Sequence, residues 1–257
     1  MGDKYYKVPL SRKYHLIVLL FFLCCSEAPI IKNEPAGRIV LAEFFTFARC
    51  VYCPYAEEAL DSLSKEFGDS LAIIAYHRQK LGDTLSPAYV AVRESLYSIQ
   101  TSPTVVFDGL YNIQTEDPDE NYPVFKNYII NERSKLTPLS LEFETSVSGS
   151  SVNTKIHIFP VDSIDGVYRL FLVVTEDSVY FKQTGAPDSI FCYVMRKMVP
   201  DENGIEVGIA YPDTVVKELN FNLNPTWESN KIGVVCFIQS MANREILQAK
   251  IKRRIFD

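Results

Sequence analysis

Two kinds of hydrophobic pattern meet at Thr137-Pro138. Before this point, apolar runs alternate with stretches in which apolar residues recur every three or four positions. The runs are typical of strands buried on both faces, and the repeats are typical of helices. The predicted order is strand 38–47, helix 54–67, strand 71–76, helix 86–96, strands 104–108 and 110–113, and helix 122–136. Asp108-Gly109 between the last two strands predicts a hairpin turn.

Beyond Pro138, apolar and polar residues alternate one by one. Leu139, Leu141 and Phe143 are separated by Ser140 and Glu142, as in a strand with one exposed face. Similar stretches, separated by turn residues, follow at 152–158, 167–175, 191–198, 214–221, 232–240 and 245–252. Because this half has no clear long helix, the pattern predicts an antiparallel β-sandwich.

The strand and helix order of the first half, β-α-β-α-β-β-α, is that of a thioredoxin fold. Its first two strands would be parallel, and the helix between them would make a right-handed crossover. We therefore predict an α/β thioredoxin-like domain over residues 38–136. An all-β, immunoglobulin-like sandwich without the antibody disulfide is expected over residues 137–257.

The first 37 residues follow neither pattern. Four basic residues precede an unbroken apolar run, LIVLLFFL, at 16–23. This run is too short to span a membrane as a helix, but it suits the core of a secretory signal. With the adjacent Cys24-Cys25 it resembles a bacterial lipoprotein signal, which implies a signal peptide over 1–24, a lipid on Cys25 and a tether over 25–37. A cleaved signal without lipid and an uncleaved anchor are the alternatives.

Composition narrows the possible functions. The chain has 257 residues and a net charge of −6, which argues against a nucleic-acid partner held by general basicity. It has three histidines and no glycine-rich phosphate loop, so neither a metal nor another cofactor is predicted. With the signal, these properties predict a lipid-anchored protein of the bacterial cell envelope. We expect it in the outer membrane, facing the periplasm or the cell surface, where disulfides can form.

The stretch TFARCVYCPYAEEAL holds two cysteines, three residues apart, where a strand meets a helix. Unpaired amides at a helix N-terminus favour a thiolate, so we predict Cys50 as a solvent-facing nucleophile and Cys53 as the resolving thiol. Half of a zinc site would need further ligands, and a structural staple would close too small a loop to stabilise much. Cys192 and Cys236 are expected to be small buried hydrophobes or a second disulfide.

Four more residues are candidates for the same site. Ser102-Pro103 precedes the third strand, where thioredoxin-like proteins carry a cis proline that receives the substrate chain; a trans proline opening a strand is the alternative. His77 ends the second strand and is a candidate proton relay, the alternative being a rim histidine without a role. Glu43, in the first strand, is a candidate buried acid that assists the resolving cysteine.

Four stretches resemble the outer-membrane lipoprotein family named for a twenty-eight-kilodalton antigen. They are VLAEFFTFARCVYCP, IIAYH, TSPTVVFDG and VVCFIQSMANREILQAKI, and the resemblance runs from about 38 to 255. It implies a lipoprotein signal, a thioredoxin-like domain and a C-terminal β-sandwich. The family's function is poorly defined, so the resemblance supports architecture better than activity. Arg49 stands where thioredoxins commonly have tryptophan, which leaves the reduction potential and partner open.

Two functions follow from these features. The first is a thiol–disulfide oxidoreductase that acts on a protein thiol or disulfide through Cys50 and Cys53. The second is a non-catalytic surface or adhesion lipoprotein, in which the thioredoxin-like region is a scaffold and the sandwich binds a partner.

Overall fold

The computed structural model describes residues 1–2, 37–85, 87–115 and 117–256. The apolar run at 16–23 and the predicted lipidation site Cys25 lie outside the described residues. Within the described ranges, no helix is long and apolar enough to cross a membrane.

The elements of the first half follow the predicted order. They are β1 (Val40–Thr46), α1 (Cys53–Phe67), β2 (Leu71–His77), α2 (Tyr89–Tyr97), β3 (Thr104–Phe107), β4 (Tyr111–Ile113) and α3 (Pro118–Arg133). Helix α3 begins four residues before the predicted start at 122. Pro118 occupies its first turn, and the Asp117 side chain caps it by accepting a hydrogen bond of 3.0 Å from the Asp119 amide.

Among the described residues of the second half, the elements are strands, apart from one short helical turn at Ser229–Lys231. They are β5 (Leu139–Ser148), β6 (Ser151–Pro160), β7 (Tyr168–Glu176), β8 (Val179–Tyr180), β9 (Ile190–Phe191), β10 (Val194–Val199), β11 (Ile205–Val207), β12 (Val215–Asn222), β13 (Ile232–Ser240) and β14 (Ile246–Lys252). The short strands β8 and β11 were not predicted, because two or three residues carry too little pattern to separate a strand from a turn.

One large sheet runs through both halves of the chain. Its order is β14-β13-β7-β10-β2-β1-β3-β4, with β11 also paired to β7. Strand β1 pairs with β2 in parallel, and β3 pairs antiparallel with both β1 and β4. The halves join where β10 lies parallel to β2, with Val194 opposite Ala75. The domain boundary after residue 136 stays a prediction, and strands from both sides of it share this sheet.

A second sheet, β12-β6-β5, forms another layer over the C-terminal part of the large sheet. Leu141 of β5 and Ile156 of β6 belong to one apolar cluster with Leu172 of β7 and Val234 of β13. This two-layer packing explains the alternation read from the second half, since each strand of the small sheet has one exposed face. The immunoglobulin-like arrangement remains a prediction.

The alternation of side chains along β1 separates the two faces of the large sheet. Ala42 and Phe44 belong to an apolar cluster that contains residues of α1 and α3. Leu41 and Phe45 belong to the opposite cluster, which contains Val90 and Tyr97 of α2. Helices α1 and α3 therefore cover one face, called here the α1 face, and α2 covers the other, the α2 face.

Candidate functional site

Cys50 and Cys53 form a disulfide at the amino end of α1, with an S–S distance of 2.04 Å. The loop from β1 brings Cys50 to this end, and the Cys50 amide donates a hydrogen bond of 2.9 Å to the Phe47 carbonyl. The Cys53 amide lies 3.2 Å from Cys50 Sγ and donates to it. A helix-terminal N–H is thus directed at this sulfur, as expected for a position that favours a thiolate.

The prediction that Cys50 faces solvent is wrong for this conformation. Cys50 and Cys53 are each only 3% exposed. Residues 179–191, which include β8 and β9, form a covering segment over the disulfide. Pro187, Asp188 and Phe191 of this segment line the same narrow space as the two cysteines, and no volume is left there for a water molecule.

The covering segment is held mainly by apolar packing. Val179 and Phe191 form a buried cluster with Ala48 of the cysteine loop and Leu85 of the loop that follows β2. The Gln183 side chain donates a hydrogen bond of 2.9 Å to the Leu81 carbonyl. In each of these contacts, at least one of the two residues belongs to a loop. The covering segment can therefore open at a lower free-energy cost than a central strand.

Glu57 is a carboxylate at the site that the sequence analysis missed. It lies one turn after Cys53 on α1 and lines the same space as the disulfide. Burial raises its pKa from 4.5 to about 7, against the opposing effect of a 2.9 Å hydrogen bond from the Cys192 amide. Asp61, Asp188 and Asp177 add like charge that raises the pKa further.

The remaining two cysteines are free thiols in the structure. Cys236 is fully buried in β13, as predicted for a small hydrophobe. Cys192 follows the covering segment, and burial raises the pKa of its thiol to about 12. The structure therefore does not contain the alternative, a disulfide between Cys192 and Cys236. Neither thiol has the depressed pKa of a reactive cysteine.

The Ser102–Pro103 peptide bond is cis, as the sequence analysis predicted. Thr104 pairs with Phe45, so the antiparallel register places Pro103 beside Thr46 at the end of β1. Thr46 itself lines the space next to the disulfide. The Ser102 hydroxyl accepts a hydrogen bond of 3.1 Å from Arg78 Nη1. The two residues predicted to bind substrate therefore lie at the same sheet edge as the dithiol.

His77 lies opposite Thr46 in the β1–β2 register and is buried on the α1 face. Its Nδ1 lies 2.8 Å from Asp83 Oδ2, and because a carboxylate only accepts, Nδ1 carries a proton. Its Nε2 is buried without a hydrogen-bond partner among the described residues. The ring packs edge-on against Phe191, with centroids 5.0 Å apart. His77 therefore contacts the side chain that covers the disulfide.

Asp83 connects His77 to the cysteine loop. Its carboxylate accepts hydrogen bonds of 2.7 Å from the Ala48 amide and 2.8 Å from the Leu85 amide. Burial alone would raise the pKa of Asp83, but the His77 hydrogen bond and charge, with these two amides, outweigh it and lower the pKa. The Asp83 carboxylate thus stabilises the loop that carries Cys50.

The suggestion that Glu43 assists Cys53 is wrong. Glu43 is fully buried, but alternation along β1 places it with Leu41 and Phe45 on the α2 face, away from the disulfide. Arg93 of α2 donates to it at 2.6 Å, and the Tyr97 hydroxyl donates at 2.6 Å. Its charge is therefore satisfied by α2.

Comparison with solved structures shows the fold. HBP35 of Porphyromonas gingivalis matches with a TM-score of 0.71 and 17% identity, over 86% of this chain and 77% of that one. The chain shares its fold with HBP35. A protein from Agrobacterium tumefaciens matches with a TM-score of 0.54 and 14% identity, over 85% of this chain and 95% of that one.

A domain of the outer membrane lipoprotein Omp28 from Porphyromonas gingivalis gives a TM-score of only 0.36 and 9% identity, over 46% of this chain and 88% of that one, so no argument rests on it. No family model matches the chain, and the comparison with curated proteins gives no match. In the part of the chain that the structure describes, no group of three or more possible ligands is placed to hold a metal ion.

Proposed function

We propose that this protein is a lipid-anchored, thioredoxin-like thiol–disulfide oxidoreductase of the bacterial cell envelope. The observation that carries the proposal is the meeting of a disulfide, a helix N-terminus, a cis proline and a carboxyl group of raised pKa at one sheet edge. The anchor is inferred from the sequence around Cys25 alone. Perturbed titratable groups beside a reactive pair are typical of sites at which protons move.

The exchange proceeds in two balanced steps. In the reduced protein, the Cys50 thiolate attacks a partner disulfide, one partner sulfur leaves as a thiolate, and the other becomes bonded to Cys50 Sγ. The Cys53 thiolate then attacks Cys50 Sγ, so the Cys50–Cys53 disulfide forms and the second partner thiolate leaves. Two electrons pass to the partner, and the same steps in reverse oxidise a partner dithiol.

Glu57 is the proton acceptor for Cys53 in the second step. A thiol must lose its proton before it attacks, and a carboxylate with a pKa of about 7 can accept and return a proton near neutral pH. Glu57 lines the same narrow space as Cys53, so its carboxyl group lies near the resolving thiol. His77 contacts Phe191, and it is a second candidate for proton transfer once the covering segment has opened.

Catalysis requires the covering segment to open, because an attacking sulfur must reach Cys50. We expect the wild-type protein to accelerate the reduction of insulin by dithiothreitol and Cys50→Ser to leave the background rate. Phe191→Ala, which removes the ring above the disulfide, should raise the rate several-fold. Equal rates for wild type and Cys50→Ser would contradict the proposed activity.

The second candidate is a non-catalytic binding lipoprotein, and the burial of both cysteines favours it. In this case the disulfide would join loop and helix, and partners would bind elsewhere on the surface. Cys53→Ser separates the two functions because it prevents resolution of a mixed disulfide. Covalent partners retained through Cys50 support exchange. Non-covalent partners alone, equally retained by Cys50→Ser, support the binding function.

A further inference from the structure

A cleft of about 300 Å³ lies on the α2 face, away from the disulfide. Its apolar walls come from α2, the start of β7 and the turn after β13. The apolar side chains are those of Val92, Leu96, Val167, Phe171 and Met241. Val92, Val167 and Met241 are exposed although they are large and apolar, so three separate segments leave apolar surface uncovered at one place.

Two side chains of opposite charge line this cleft and lack ionic partners. Arg169 Nη1 donates a hydrogen bond of 2.8 Å to the Asn203 carbonyl, but Arg169 Nε is inaccessible to solvent and has no partner. Among the described residues, no carboxylate lies within 4.0 Å of the Arg169 guanidinium, and no cationic group lies within that distance of the Glu202 carboxylate. An unsatisfied buried donor in a native fold calls for an explanation.

Arg93 also lines the cleft, but its charge and most of its hydrogen-bond donors are used within the protein. A guanidinium has five N–H groups. Four of these donate, from Nε and Nη2 to Glu43, from Nη2 to Tyr97, and from Nη1 to Gln239. One N–H of Nη1 has no partner within the described part of the chain. Because Arg93 is only 1% exposed and its charge is paired with Glu43, Arg169 is the unpaired cation that the cleft offers.

We propose that this cleft binds a free α-amino acid with an apolar side chain. The ligand carboxylate pairs with the Arg169 guanidinium, and its ammonium pairs with Glu202, the two unpaired charges that line the cleft. Its side chain lies against Val92, Leu96 and Met241. A volume of about 300 Å³ is at the small end of ligand pockets and suits a molecule of this size. Complementarity in charge at both ends distinguishes this ligand from a fatty acid or an amine.

The proposal is tested with three probes that differ by one charged group each. Binding of L-phenylalanine, 3-phenylpropionate and phenethylamine to the full folded chain is measured by calorimetry. We expect L-phenylalanine to bind at least about tenfold more tightly than either analogue, the effect of one charge-assisted hydrogen bond. Glu202→Gln should remove the preference over 3-phenylpropionate, and Arg169→Gln should remove the preference over phenethylamine.

Matched controls are Glu144→Gln and Arg254→Gln, which change the same groups at exposed positions outside the cleft. Both controls should retain wild-type selectivity, and thermal melts identify any variant that fails to fold. Val92→Asp, which places a charge on the apolar wall at an exposed position, should weaken all three probes. The proposal is overturned if wild type does not bind L-phenylalanine at about 10 mM, or if the two cleft variants keep wild-type selectivity.

Discussion

Glu43 of β1 and Glu57 of α1 lie on opposite faces of the large sheet, and the two are stabilised in opposite ways. Glu43, on the α2 face, has the Arg93 guanidinium at 2.6 Å and the Tyr97 hydroxyl at 2.6 Å. Glu57, on the α1 face, has a backbone amide at 2.9 Å and three neighbouring aspartates that raise its pKa. A buried charge with a complete set of partners holds a structure together, whereas one without a cation is ready to take up a proton.

The largest effect is expected from removing the cation on the α2 face. Arg93→Met leaves Glu43 buried without a counter-charge, so the free energy of unfolding should fall by about 3–5 kcal/mol. Urea denaturation of wild type and variant at pH 7 measures this change in the free energy of unfolding. The control is Lys126→Met, which breaks the exposed 2.6 Å pair with Glu66 and should cost less than about 1 kcal/mol. Similar losses for both variants would show that Arg93 is not an essential partner.

On the α1 face, replacing the glutamate with a neutral residue should increase the free energy of unfolding. A carboxyl whose folded pKa is raised from 4.5 to about 7 stabilises the fold only while it is protonated, and this contribution is lost as the pH rises through 7. Glu57→Gln remains neutral, so we expect it to be more stable than wild type by about 2–3 kcal/mol at pH 8 and equally stable near pH 4. Urea denaturation at both pH values provides the measurement.

The neighbouring Glu58→Gln is the matched control for Glu57→Gln, because Glu58 is exposed on the same helix. Its stability should stay within about 0.5 kcal/mol of wild type at both pH values. The raised pKa would be contradicted if the difference in free energy of unfolding between Glu57→Gln and wild type were as small at pH 8 as it is for this control.

The smallest effect concerns the disulfide itself. The disulfide between Cys50 and Cys53 closes a very short loop. The chain entropy that it removes from the unfolded state therefore stabilises the fold by only about 2 kcal/mol or less. We expect dithiothreitol to lower the free energy of unfolding by this amount. The Cys50→Ser/Cys53→Ser double variant should not respond to the reductant. A loss well above this range would indicate that the disulfide mainly stabilises the fold.

Local patterns predicted the elements because each pattern is contained within one segment. The apolar stripe of α1 and the alternation in β5 and β6 appear in the structure as buried faces. Glu57 could have been found in the same way. It lies four residues after Cys53, within the stripe that includes Ala56 and Leu60, and a carboxylate in a buried stripe is a signal for a perturbed pKa.

The closed state of the site could not be read from the sequence. Phe191 covers a disulfide that lies almost 140 positions earlier in the chain, and nothing in its own segment indicates that contact. Glu43 was misplaced for a related reason. Its burial was expected, but the face it occupies depends on which side of β1 receives α1.

The parallel pairing of β2 with β10 also constrains how the chain comes to be folded. Until residues 194–199 pair with it, one edge of β2 has no neighbour, and its row of N–H and C=O groups stays open to other chains. Contacts so distant in sequence form slowly, because a long loop must close first. The sheet edge of the first half therefore stays open until the second half of the chain has folded onto it.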